Sequence, residues 1–308
     1  MTKPLSPPAW RTALLTTLAM LAFAGNSLLC RLALRHTPVD AASFTSMRLA
    51  SGALVLALLV ALRSRLAAGA SRGVCGESDG LSGGLSGGLS GDWISATALF
   101  VYAAGFSFAY VSLSAATGAL LLFGTVQTTM IGWGLWRGER LRAVQWLGLL
   151  AASAGLLALL LPGLSTPSLA SGGLMVSAGG AWAVYSLRGR STTDATATTA
   201  GNFARAAPLA LGLSLLMASQ ARFDATGLLL AAASGAVASG LGYAVWYTAL
   251  RGLSATRAAV TQLSVPALAA AGGVLLLGEP VTPHLLAASA AVLGGVALVI
   301  VGRQQRRT

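Results

Sequence analysis

Ten runs of mainly apolar residues, each close to the roughly 20 that a helix needs to cross a bilayer, follow one another along this chain. They lie near 12 to 30, 41 to 62, 93 to 112, 115 to 136, 143 to 161, 169 to 187, 196 to 217, 227 to 249, 256 to 277 and 284 to 301. Clusters of Arg, Pro and Gly separate them. A mean hydropathy of +0.75 with only 9% charged residues spreads the apolar excess over the whole length, which requires lipid as solvent. The expected fold is an all-α membrane protein of ten transmembrane helices. The first run, flanked by Lys3, Arg11 and Arg31 with no cleavage pattern behind it, reads as a retained helix.

Orientation follows from the basic residues. Fifteen of the 20 lie in the two terminal segments and the alternate connections on their side, among them Arg63, Arg65, Arg72, Arg137, Arg140 and Arg142. Only Arg31, Arg35 and Arg222 lie on the other side, and Arg48 and Arg205 fall within helices. Because cytoplasmic loops are enriched in Lys and Arg, both termini are expected in the cytoplasm, with the protein multi-pass in the inner membrane. The net charge of +12 is thus a topology signal, and no nucleic-acid partner is expected. The 63–92 connection, with Leu-Ser-Gly-Gly repeats from Leu81 to Gly91, has the composition of a flexible cytoplasmic linker.

The chain also repeats itself. Gly138-Glu139 aligns with Gly278-Glu279, and the same offset pairs Ser114-Ala115 with Ser254-Ala255, Ala151 with Ala291 and Gly155 with Gly295. Before the linker, Arg31 aligns with Arg188 and Arg48 with Arg205. The halves are 1–161 and 162–308. Five helices in each place the second copy upside down, an arrangement suited to alternating access around a site near the midplane.

These features resemble the drug/metabolite transporter superfamily, in particular its ten-helix EamA-type branch. The residues carrying the resemblance are Phe23 to Asn26 and Ala181-Trp182 in the first helices of the halves, Met47-Arg48-Leu49 and Ala204-Arg205-Ala206 in the second, and the paired Gly-Glu endings. The resemblance implies a secondary transporter exporting metabolites from the cytoplasm. Length and aromatic content are similar to the YddG-type exporters of aromatic amino acids.

Ionisable groups inside a bilayer cost on the order of 3 kcal/mol or more and usually face a cavity or a partner. Arg48 and Arg205 have two readings: one meets a substrate carboxylate as a gating residue, or both are structural and reach carbonyl ends of neighbouring helices. All eight acidic residues lie in connections or at helix ends, so no mid-membrane carboxylate serves a proton, a sodium ion or a cationic drug. A zwitterionic or neutral small molecule is the expected substrate. Glu139 and Glu279 are expected to gate or to pack helices.

An apolar cavity with a few polar groups is the usual form of a small-molecule site. Asn26, Trp182 and Tyr185 in the first helices, Tyr102, Phe106, Tyr243 and Trp246 in the third, and Gln127 and Gln262 in the fourth are the substrate-binding candidates. Tyr102, Phe106 and Tyr110 recur at four-residue steps, which brings them near one helix face. Interfacial belts and helix contacts also use aromatics, and Trp10, Trp93, Trp136 and Trp146 at helix ends have that look. Pro266 and Pro208 each remove a backbone donor within a run, freeing the carbonyls of Gln262 and Ala204 and marking candidate hinges. The small residues Ala151, Gly155, Ala291 and Gly295 suit close packing, inside the bundle or between two copies as a homo-oligomer.

Cys30 and Cys75 stand apart, so neither a disulfide nor a metal site is inferred. With only His36 and His284, and no buried acid pair, no enzyme is expected, and no cofactor. Charge rings or a carbonyl filter of the kind channels use are also missing. The leading reading is an exporter of amino acids with aromatic or hydrophobic side chains. An exporter of purines or amphipathic drugs is the alternative.

Overall fold

The computed structural model describes residues 9–72, 89–138, 142–160, 168–189, 194–250, 253 and 261–304. Every regular element among them is helical: α1 (Ala9–His36), α2 (Ala41–Arg72), α3 (Trp93–Tyr110), α4 (Ala115–Trp136), α5 (Ala143–Leu160), α6 (Leu169–Gly189), α7 (Ala195–Leu216), a short 3-10 turn (Ala218–Gln220), α8 (Ala225–Ala233), a π segment (Ser234–Leu241), α9 (Gly242–Leu250), α10 (Ser264–Leu277) and α11 (Pro283–Gln304). α8, the π segment and α9 are continuous, which makes ten helical runs.

Among the described residues, five stretches are long and apolar enough to cross a membrane: Trp10–His36, Ala41–Leu66, Trp93–Tyr110, Ala115–Trp136 and Ala225–Ala249. α6 has Arg188 in its last turn, and α7 carries Thr196, Thr199, Asn202 and Arg205, which dilute its hydropathy. Along α2, Leu54, Leu58, Leu62 and Leu66 form an exposed ridge at helical spacing. A ridge of that kind is adapted to lipid, since soluble surfaces seldom present contiguous apolar patches.

Carboxylates set the helix starts. Asp92 accepts from the backbone N–H of Ser95, Asp194 from Thr196 and Ala197, and Asp224 from Gly227. Each thereby satisfies donors that a helix N-terminus leaves free, and its charge opposes the helix dipole. Asp40 does the same for Ala42 and Ser43, and also accepts from Arg222 N. Partial burial pushes Asp40 up, but the hydrogen bonds from Arg222, Ser43 and Ala42 outweigh it and hold the carboxyl below its ordinary value.

Gly138 and Gly278 have φ of 86° and 63°. At Gly278 this left-handed residue closes α10, a conformation that glycine adopts without steric cost. It turns the chain so that Glu279 N donates back to Gly273 O. The repeated Gly-Glu pair is, on this side, a helix stop followed by a carboxylate aimed into the bundle.

The two halves of the sequence interleave. α2 packs mainly on α7 and the π segment, α3 on α6 and α7, α4 on α6 and α10, and α1 on α9 and α10. The most extensive pairing, α5 with α11, also joins the halves. Gly295 makes it possible, since a Cβ there would press on the backbone of Gly148 and Ala152, and Gly155 fits against Ala291 and Val292. The small residues seen in the sequence therefore pack these two helices within one chain.

Several boundaries differ from the sequence reading. α2 runs on to Arg72, into the stretch read as linker, because Arg63 to Arg72 has no helix breaker before Gly69 and α-helix propagation is cheap once nucleated. The linker's other end is ordered too. Gly91 at φ 112° lies against Asn202, whose Oδ1 accepts from Asp92 N at 3.0 Å, and the hydroxyls of Ser90 and Thr198 are 3.0 Å apart. Leu263 forms a turn between Thr261-Gln262 and α10, so Pro266 lies in the first turn of a helix rather than mid-helix. Proline is tolerated there because first-turn N–H groups have no partner to lose.

Candidate functional site

A cluster of aromatic side chains gathers where α1, α3, α6 and α9 meet. Phe23 lies edge-on to Tyr243 and Trp246, with centroids 5.9 and 5.8 Å apart. Trp182 sits 4.7 Å from Tyr102 and 5.1 Å from Tyr243. Phe106 continues the row, 5.4 Å from Tyr102 and 4.7 Å from Tyr110. Such tilted and edge-on contacts suit the ring quadrupoles.

A small pocket lies among them, walled by Phe23, Asn26 and Ser27 of α1, Tyr102 and Phe106 of α3, Leu122 and Phe123 of α4, Trp182 of α6, Ala238 of the π segment and Tyr243 of α9. Its free volume of about 20 Å³ holds about one water molecule. An amino acid requires a wider pocket, so this conformation is closed around the site.

The polar groups at the pocket form one network. Ser234 Oγ donates to Asn26 Oδ1 at 2.6 Å, and Asn26 Nδ2 donates to the Tyr102 hydroxyl at 3.3 Å. Arg48 Nη2 donates to the same hydroxyl at 3.1 Å, and its Nε to Ser239 Oγ at 3.4 Å. The guanidinium also lies over the rings of Phe106 and Tyr102, 4.8 and 5.2 Å from their centroids. Arg48 is 1% exposed, so it does not reach for an aqueous interface.

The π segment sets this geometry. Gly235 brings it so close to α2 that an added Cβ would collide with the Arg48 carbonyl and the Ser51 hydroxyl. The wider i to i+5 winding of a π turn aligns Ser234, Ala238 and Ser239 on the site side, and such turns recur at functional sites.

Away from the pocket, Glu279 makes a lock. Its Oε1 accepts from Arg31 Nε at 2.9 Å and its Oε2 from Ala115 N at 2.7 Å. Arg31 Nη1 also donates to the carbonyls of Tyr110 and Val111. One carboxylate thus ties α1, the α3–α4 connection and the α10–α11 turn together. A weaker pair, Arg188 with Asp92 at 3.0 Å, joins α6 to the start of α3. Partial burial raises Asp92, but Ser95 and Arg188 outweigh it and hold the carboxyl below its ordinary value.

The sequence has relatives. The EamA-like transporter family matches residues 171–301. The Uncharacterized protein PA1977 of Pseudomonas aeruginosa is 55% identical over 299 residues, spanning 97% of this chain and 98% of that protein. The chain thus carries an EamA-like transporter domain in its second half. It is therefore a multi-pass membrane transporter of small molecules. A solved crystal structure of another protein, 21% identical, superposes with a TM-score of 0.60 over 95% of this chain and 98% of that one, so the ten-helix fold is shared.

Within this EamA-like fold, Asn26, Tyr102, Phe106, Trp182 and Tyr243 are brought together at the pocket. Tyr185 and Trp246 form the layer behind it, Tyr185 beside Trp182 at 5.5 Å and Trp246 against Phe23. Gln127 is buried and Gln262 half-buried, both outside the pocket wall. Arg205 bonds the carbonyls of Gly201 and Ser90 and so holds the linker's end. Glu139 lies outside the described residues. Trp10, Trp93 and Trp136 are well exposed, as belt residues are.

Residues missed by the sequence reading are Ser27, Leu122, Phe123, Ala238, Ser234, Ser239 and Arg31. Phe23, Asn26 and Ser27 stand at i, i+3 and i+4, a helical face visible in sequence. Ala238 carried no signal of its own.

Proposed function

We propose that this transporter exports amino acids with aromatic or hydrophobic side chains from the cytoplasm across the inner membrane, in the manner of YddG-type exporters. The observation that carries the reading is the pocket itself, built from rings of both sequence halves around a few convergent polar groups. Flat apolar surfaces stack on such rings, and an amide and hydroxyls orient a polar end.

Transport proceeds by alternating access between two inverted repeats, 1–161 and 162–308, with both termini cytoplasmic. The helix pairings support this: exchanging each helical run for the one five later turns α3 on α6 into the α8–α9 run on α1, and α4 on α6 into α10 on α1. The Arg asymmetry supports the orientation. The closed pocket fits an occluded state, with the Arg31–Glu279 lock on the external side.

Counterflow in proteoliposomes tests the proposal. Vesicles loaded with unlabelled phenylalanine should accumulate labelled phenylalanine saturably, above protein-free vesicles and above leucine, adenine and a cationic dye. Accumulation of adenine or the dye alone would move the substrate to the purine or drug class.

A further inference from the structure

Arg48 carries a charge that no described carboxylate answers. The ion pairs among the described residues are Arg31–Glu279 and Arg188–Asp92, and neither involves it. Its Nη1 is buried without a hydrogen-bond partner. Inside a bundle a lone cation is costly unless paired, and ring faces offset only part of that cost.

Arg48 touches the pocket wall through Tyr102. The Tyr102 hydroxyl accepts from both Arg48 and Asn26 and also meets the Tyr243 hydroxyl. Ser27, also on the wall, is buried with the Tyr110 hydroxyl in reach. The unpaired Arg48 charge therefore lies directly behind the wall residues Tyr102 and Phe106, and no acid stands on that wall.

We infer that the group this pocket recognises is a carboxylate, that Arg48 is its counter-charge, and that the α-ammonium of an amino acid is dispensable. The substrate class is then aromatic monocarboxylates, with amino acids as one case. The inference rests on the proposed transport site and narrows its chemistry. An ammonium in so small a pocket lies near a guanidinium of like charge, and like charges close together repel strongly where water is excluded. The rings of Trp182 and Tyr243 offer it some attraction, which makes a zwitterion tolerable without making it required. Ser234 and Ser239 share the π segment, so one displacement of that segment releases both Asn26 and Arg48 toward an entering carboxylate.

Binding to the full-length protein in detergent, read by calorimetry, tests this with 3-phenylpropanoate, phenylalanine, phenylalaninamide and phenethylamine. The acid should bind at least as tightly as phenylalanine, and the amide and amine about 10- to 100-fold more weakly, the worth of a hydrogen-bonded charge contact. Arg48→Gln should abolish the preference for acid over amine while its unliganded thermal midpoint stays level or rises, because an unpaired buried charge is gone. Should that variant fail to fold, the wild-type panel decides alone. Amine or amide binding as tightly as the acid overturns the inference and leaves the aromatic site standing, as does phenylalanine binding where 3-phenylpropanoate fails. Failure of every aromatic compound overturns both.

Discussion

Arg31 and Arg48 in the first half, and Arg188 and Arg205 in the second, occupy corresponding positions in the internal alignment, yet their surroundings differ. Arg31 pairs with Glu279 at side-chain exposures of 12% and 11%, whereas Arg188 pairs with Asp92 at 41% and 46%. Arg48 is sealed among Tyr102, Phe106 and Ser239, while Arg205 is half-buried and bonds backbone carbonyls. The helix pairings are alike where the side-chain chemistry differs, because packing needs only small and apolar residues in register. The polar part of the site accordingly belongs to the first half, and the second half answers with π-segment serines.

The sharpest way to break this comparison is at the two ion pairs. Glu279→Gln strands Arg31 in a nearly dry setting and removes charge from the α4 cap, so the expected loss is about 3 kcal/mol. Asp92→Asn keeps a capping side chain and breaks an exposed pair, costing less than about 1 kcal/mol. Thermal midpoints of the two variants in detergent check this. Equal losses would mean that burial does not separate the two pairs.

Arg48→Lys sharpens the second contrast. Lysine keeps the charge but lacks the planar fork that reaches Tyr102 and Ser239 together, so counterflow of an aromatic acid should fall about tenfold, or ~1.4 kcal/mol. A rate unchanged by the substitution would reduce Arg48 to a point charge.

Much of the scaffold was legible because lipid imposes it. A bilayer fixes run length, and Asp92, Asp194 and Asp224 mark helix starts by chemistry that operates within three residues. Tyr102 and Phe106 were legible as a helical face. The Arg31–Glu279 lock joins residues 248 apart in sequence, and nothing local announces it. Polarity singles out Gln127 and Gln262, and Pro266 adds to the case for Gln262, but neither signal says which way a helix is rotated, and both residues lie off the pocket wall. The π segment reads in sequence as a run of small residues, and its winding emerges only from contact with α2.

Acid separates the exposed carboxylates from the rest. Asp92 has its folded value below the ordinary 3.8, so its contribution is present above about that pH and lost as pH falls through the lower folded value. The thermal midpoint should hold from about pH 7 to 5 and decline below about 4, with a shallower decline in Asp92→Asn. A decline already complete near pH 5 would contradict the lowered value.

The smallest effect is expected at Arg205, and it decides whether the two helix-borne arginines share a role. Its hydrogen bonds go to Gly201 O within α7 and to Ser90 O at the linker's end. Asn202 and Thr198 hold the same linker residues independently, so Arg205→Gln removes one of several ties at a half-buried edge. The cost should stay within about 0.5 kcal/mol, and counterflow per folded molecule should change less than twofold. A loss as large as that of the Arg48 variants would mean that the linker's attachment to α7 takes part in the transport cycle, and the asymmetry drawn between the halves would then be one of position, not of function.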